Sequence, residues 1–197
     1  MRRESSTVVA LVGDVTEGLL AGLTRSGNVS VVRSPATTAA PDWQPGAVAM
    51  QEAARRRATY VVVAADPLAD VAAGWRSMWD LGAAEPGPAA FERAAAAALT
   101  AWRERRFELP DYYLVAVPSL VSETGPDLYL GPLRGARARR VAVTDGADDP
   151  AAAAAARILD VLRALEHGPW WPPLDELLDA ARRFYAGGLA ETQPARA

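Results

Sequence analysis

Five short apolar runs recur along the chain: Thr7 to Val12, Val29 to Val32, Thr59 to Ala65, Tyr112 to Val117 and Val141 to Thr144. They are nearly continuous in apolar, often β-branched residues instead of alternating with polar ones, which is the pattern of strands covered on both faces. Stretches with helical spacing separate and follow them: Val15 to Thr24, Ala47 to Arg57, Leu68 to Leu81, Pro88 to Arg106, Asp127 to Ala138 and Ala151 to Glu166. Strand–helix alternation of this kind is satisfied by a parallel sheet with helices on both faces. The expected fold is therefore a three-layer α/β/α protein with a five-stranded, mainly parallel sheet. Right-handed crossovers favour a flavodoxin-like strand order, 2-1-3-4-5, with a Rossmann-like order second.

At 197 residues the chain has the length of one domain. Residues 1–166 are expected to form the α/β domain, with a helical insertion at 67–109, residues 167–190 a C-terminal helical appendage and 191–197 a tail. Leu174, Leu177, Leu178, Ala181 and Phe184 follow helical spacing up to Gly187-Gly188, so one face of a last helix, Leu174 to Ala186, packs on the body or on a second chain. No apolar run reaches the ~18 residues of a membrane span. The opening Met1-Arg2-Arg3-Glu4-Ser5-Ser6 leads into a run broken by Gly13 and Asp14, which predicts no leader and a cytoplasmic protein.

Three absences narrow the chemistry. All 21 basic residues are Arg, so no lysine is present to grip a phosphate or form a Schiff base. Cysteine is absent, which removes thiol nucleophiles, disulfides and thiolate zinc sites. His167 is the only histidine, so a Ser-His-Asp hydrolase would have to be built around it. The net charge is -3 with Arg dispersed, which gives no footprint for nucleic acid. Abundant alanine with Arg in place of Lys has the look of a high-GC, actinobacterial coding bias and says little about function.

In an open parallel sheet, ligands bind beyond the carboxyl ends of the strands. The residues there are Gly13-Asp14, Ser34-Pro35, Asp66-Pro67, Pro118-Ser119 and Asp145-Gly146. Asp14, Asp66, Ser119 and Asp145 form the expected ligand pocket, and Asp14 with Asp66, on neighbouring strands, is the candidate metal pair. Each acid also has a purely local explanation. Asp14-Val15-Thr16-Glu17 has the form of a capping box, while Asp66-Pro67 and Asp149-Pro150 place a capping acid before a proline at the first helical position. Gly18 and Gly22, one turn apart, suit close helix packing, and His167 suits a helix C-terminus.

The placement of Asp14, Asp66 and Ser119 resembles a response-regulator receiver over residues 7 to 145. A receiver carries a second acid before the first and a lysine after its fifth strand, and this chain has neither, so the resemblance implies a degenerate receiver. Val12-Gly13-Asp14-Val15-Thr16, Val117-Pro118-Ser119 and Val143-Thr144-Asp145-Gly146-Ala147-Asp148-Asp149 are similar in order to the haloacid-dehalogenase phosphatase motifs. That likeness implies a Mg2+-dependent hydrolase using Asp14, Ser119, Asp145 and Asp149, although Thr16 stands where the family has its proton-donating acid. Leu109 to Val115, Leu128 to Gly131 and Arg140 to Val143 are similar to uncharacterised actinobacterial proteins of conflict and signalling gene clusters, which implies an accessory role beside an NTPase or protease.

Trp75, Trp79, Trp102, Trp170 and Trp171 read either as core or as a partner surface. The runs Arg55 to Arg57, Arg103 to Arg106 and Arg137 to Arg140 fall at helix C-termini and read as solvated. The expected function is a non-catalytic ligand-binding or protein-interaction domain of adaptor type, with a protein partner or a second copy and no cofactor. The alternative is the Mg2+-dependent phosphoryl-transfer hydrolase.

Overall fold

The structure, a computed structural model, describes residues 6–13, 15–33, 45–80, 87–116, 127–144 and 150–192, with side chains to 187. Its strands are Thr7–Gly13 (β1), Val29–Val32 (β2), Tyr60–Val63 (β3), Tyr112–Ala116 (β4) and Val141–Thr144 (β5). The helices are Glu17–Thr24 (α1), Pro45–Ala53 (α2), Ala69–Trp79 (α3), Ala89–Arg103 (α4), Arg134–Ala136 (α5), Ala151–Arg163 (α6) and Leu174–Thr192 (α7). All four strand pairings are parallel, and the three-layer α/β/α architecture is as the alternation predicts. The order across the sheet is β2-β3-β1-β4-β5. It differs from 2-1-3-4-5 by the exchange of β1 and β3. Both of those strands are uninterrupted apolar runs, so hydrophobic pattern places them in the interior of the sheet without ranking them. The exchange leaves β1 and β3 adjacent, with Ala10 opposite Val63 on one side and Tyr113 on the other.

Successive strand residues point to opposite faces, and the core divides accordingly. Val8, Ala10, Val61, Val63, Tyr113 and Val115 face a layer that includes α2, α3, α4 and α7. Val9, Leu11, Val62, Tyr112 and Leu114 face α1 and α6. Gly18 and Gly22 let α1 lie directly on α6: a Cβ at Gly22 would come within 2.7 Å of the Ala155 Cβ. The helix-packing expectation for these glycines therefore holds.

Several local expectations are corrected. The cap of α1 is Thr16, whose Oγ1 accepts from the Leu19 N–H at 3.2 Å, so the capping group lies two residues later than Asp14. The stretch expected as one helix from Asp127 to Ala138 contains a π-helical turn, Tyr129–Leu133, before α5. Pro132 lies inside it and has no N–H to give, and the Leu133 N–H reaches back five residues to the Leu128 carbonyl. Helix α7 runs through Gly187-Gly188 to Thr192. Leu174, Leu177, Leu178 and Ala181 are buried in the same core as the sheet, so the face expected to pack on the body or on a second chain packs on the body. A bidentate Arg182–Glu92 pair, 2.9 and 2.7 Å, also ties α7 to α4. Among the described residues no helix is long and apolar enough to cross a membrane.

Candidate functional site

Of the expected pocket, Asp66 is described; Asp14, Ser119, Asp145 and Asp149 lie outside the described residues. Asp66 follows β3, and its Oδ1 accepts from the Leu68 N–H at 2.9 Å in a turn ahead of α3; the N-cap of that helix is Leu68, so the expected arrangement of Asp66 as cap with Pro67 at the first helical position is corrected. Its other oxygen accepts the phenolic O–H of Tyr129, carried in by the π-helical turn. The Tyr113 ring lies 5.2 Å from that of Tyr129, and its buried hydroxyl faces the same carboxyl without a hydrogen bond of ordinary geometry among the described residues. As a residue Asp66 keeps some contact with solvent, but its carboxyl lies within this cluster.

Burial pushes the Asp66 carboxyl up to about 6, against the lowering bonds from Tyr129 and Leu68. Burial also raises both phenols well above their usual range, so they stay neutral donors. Asp127 caps the π-helical turn, its Oδ1 accepting from Tyr129 N at 2.7 Å and Leu130 N at 3.1 Å, and burial raises its carboxyl too. Asp14, the other member of the expected metal pair, lies outside the described residues. Among the described residues no group of three or more His, Asp or Glu could hold a metal ion.

A feature not drawn from the sequence lies between β1 and α1. Gly13 and Gly18 stand at the spacing of a phosphate loop, strand to helix, but the positions of its Lys and Ser/Thr are filled by Leu19 and Leu20. Both leucines are buried, at 4% and 3% exposure. Gly13 has φ 106°, and a Cβ there would come within 2.3 Å of the Ala116 carbonyl oxygen. The glycines thus shape the turn and the helix contact, and leucines stand at the positions of the phosphate loop's lysine and hydroxyl.

The opposite, amino edge of the sheet holds a cleft of about 840 Å³ lined by the start of β1, the approach to β4 and residues 167–173. Its wall is built around Arg140, a buried residue just ahead of β5. Arg140 donates to the carbonyls of Pro169 (3.0 Å), Gly168 (2.7 Å) and Asp111 (3.2 Å), and its guanidinium lies 4.8 Å from the ring centres of both Tyr112 and Trp170. Arg137 donates to the Trp170 carbonyl, Arg139 to that of His167, the Tyr112 hydroxyl to that of Glu166 and the Trp171 indole to that of Pro110. The Arg137 to Arg140 run, expected to be a solvated helix end, instead fastens the 166–170 segment. His167 is an exposed residue of this cleft, four positions past the end of α6, and does not cap it.

The tryptophans separate by burial. Trp75 (0% exposed) centres an aromatic cluster with Trp79, Phe91, Phe184 and Tyr185, and Trp171 (5%) lies against Tyr113; neither can form a partner surface. Trp79 and Trp102 are half-buried against the core. Trp170 is exposed at 54%, and with Trp102 and Trp171 it lines the cleft. The signal for this cleft was present in Pro110 to Tyr112, Arg140 and Trp170-Trp171, but these groups meet only because strand order brings them to one edge.

Sheet and edges together define a parallel α/β/α protein with an inward-turned carboxyl at one edge and an arginine-fastened aromatic cleft at the other. The chain matches no protein-family model, no curated protein and no solved structure.

Proposed function

We propose that the chain is a non-catalytic binding domain, a cytoplasmic adaptor or accessory subunit that holds a partner. The observation that carries this reading is Asp66: the strand-end acid has one oxygen on the Leu68 N–H, the other on the Tyr129 hydroxyl, and a carboxyl raised to about 6. A group so engaged supports the turn into α3 and is poorly placed to act as the phosphoryl acceptor of the receiver-like reading; the hydrolase alternative, built on Asp14, Ser119, Asp145 and Asp149, is left to the test. The glycine spacing of a phosphate loop with leucines in place of its lysine and hydroxyl supports the same reading. The cleft at the amino edge supplies the binding surface.

The test is thermal unfolding with and without Mg2+, across nucleotides and phosphorylated metabolites, alongside phosphate release from the same compounds. A ligand at ~100 times its Kd adds about 2.7 kcal/mol, which in a chain of this size is a rise of about 5 to 10 °C. The binding-domain reading predicts a flat panel and no release above the uncatalysed rate. A Mg2+-dependent rise with turnover, both lost in Asp14→Asn, would overturn it in favour of the hydrolase.

A further inference from the structure

We propose that an arginine patch beside the amino-edge cleft binds single-stranded nucleic acid, with phosphates on the arginines and bases in the cleft; the proposal rests on the binding-domain reading and names its partner class. Helices α2 and α4 each lead into a strand, so their C-termini lie at the amino edge. Along the sequence the runs Arg55 to Arg57 and Arg103 to Arg106 stand far apart, but the fold sets them side by side. The Gln51 side-chain amide on α2 donates to the Arg106 carbonyl beyond α4 at 3.2 Å. Six arginines meet there, all but Arg106 exposed, against Glu52 and Glu104. Glu52 pairs with Arg55 and Arg56, and Glu104 with Arg106; among the described residues Arg57, Arg103 and Arg105 have no carboxylate partner. The patch joins the cleft through Trp102, next in sequence to Arg103, and through Ser6, whose hydroxyl donates to the Arg56 carbonyl.

The helix dipole accounts for an arginine in a last turn, but not for Arg105. The chain leaves α4 through a turn in which the Arg106 N–H donates to the Ala101 carbonyl and the Arg105 N–H to that of Trp102, both at 2.9 Å. Such a turn takes glycine at the position where Arg105 stands, with φ 57°. Glycine there would relieve the strain, so the arginine is kept at a cost to the fold, as strained residues at binding sites are. The cleft supplies the second half of the recognition. Trp170 is 54% exposed, with Arg140 over one side of its ring, and Trp102 is half-buried. Of the acids on the lining, Asp111 accepts from the Val8 N–H at 2.6 Å and Glu108 also has a partner within the chain. Single-stranded nucleic acid carries flat rings at regular intervals along a line of negative charges, which is what guanidinium groups beside exposed indoles receive. An acidic peptide brings the charges without the rings, and a duplex keeps its base faces stacked on one another.

The experiment titrates the full chain into a fluorescein-labelled twelve-nucleotide uridine oligomer and reads anisotropy, with a twelve-residue glutamate peptide and phosphatidylserine vesicles as competitors. Saturable binding is expected, with an affinity that falls about 20-fold between 50 and 200 mM salt, the slope of about three phosphate contacts. Trp170→Ala should weaken it at least about fivefold through lost stacking. Arg105→Gly should weaken it about threefold while the unfolding temperature stays or rises, a pairing that a merely structural role would not produce. Arg103→Gln, on the exposed end of α4, should match that loss. No saturable binding at 50 mM salt, displacement by the glutamate peptide or the vesicles at equal charge, or unchanged affinity in Trp170→Ala or Arg105→Gly would each overturn the proposal. A mononucleotide offers one base and reaches few of these arginines, so the Mg2+ panel remains a separate test. If the proposal fails while that panel stays flat, the binding-domain reading stands without this partner; Mg2+-dependent turnover removes both.

Discussion

The two edges of the sheet use polar groups in opposite ways. At the carboxyl edge Asp66 is turned inward between two phenols, and the surrounding core sets its proton affinity. At the amino edge the charged group, Arg140, is turned onto backbone carbonyls, and its hydrogen bonds fasten a loop against β4. Burial acts on both, yet the acid responds by holding its proton while the guanidinium, which cannot release one, must find enough acceptors to remain charged. The ligand edge expected of an open α/β sheet is therefore the edge where Asp66, the described member of the expected strand-end acids, is committed to the fold. The opposite edge carries a cleft among the described residues.

Removing the arginine is expected to have the largest effect. Arg140→Ala leaves three carbonyls without their donor and takes the cation from between Tyr112 and Trp170, so it should destabilise by about 3 to 4 kcal/mol in denaturant unfolding. Arg140→Lys, with one ammonium where a planar fork reached three carbonyls, should recover less than half of that. A cost below about 1 kcal/mol would mean that the loop is held by Trp171 and its apolar contacts alone. The contrast between the edges would then rest on the acid.

At the other edge the sign reverses. In the native state Asp66 keeps its proton up to about pH 6, while in the unfolded chain it loses it near pH 4, so stability falls as pH rises through that window. Asp66→Asn removes this penalty, and its amide can still accept from Leu68 while donating to Tyr129. The variant should be more stable than the parent by about 2 kcal/mol at pH 8, with the gain shrinking between pH 6 and pH 4 and absent below. Destabilisation at pH 8 would show that the carboxylate does structural work its amide cannot. Tyr129→Phe probes the same group more gently: the carboxyl loses a donor, its titration moves above 6 by carbon-13 NMR, and stability at pH 8 drops by about 1 to 2 kcal/mol.

Much of the architecture was legible in the chain because burial on both faces leaves a direct mark, a continuous apolar run. The strand boundaries of β2 and β5 follow from that mark residue for residue. It cannot order strands that carry it equally, hence the exchange of β1 and β3. Pattern also cannot say which partner a polar residue will find. Asp66 and Tyr129 are 63 residues apart, and Arg140 reaches carbonyls 28 and 29 residues away. Periodicity marked Trp75 as a helix-face residue but left core and interface undecided, since both favour large aromatic side chains at that spacing. Burial against Phe91 and Tyr185 decided it.

The smallest effect lies where a local reading was most specific and shifted by two residues. Asp14-Val15-Thr16-Glu17 fits a capping box begun by the aspartate, and the same four residues fit a helix begun by the threonine. Geometry selects the second, because Thr16 has extended backbone dihedrals (φ -92°, ψ 153°) and its hydroxyl oxygen accepts from the Leu19 N–H three residues on. Thr16→Ala should then cost about 1 kcal/mol, and Thr16→Ser or Thr16→Asp much less, since each retains an oxygen at the cap. Asp14→Ala should leave stability within about 0.5 kcal/mol. If the costs came out the other way, the helix would begin at the acid, Asp14 would join Asp66 among the groups committed to the fold, and the carboxyl edge would have one candidate fewer for chemistry.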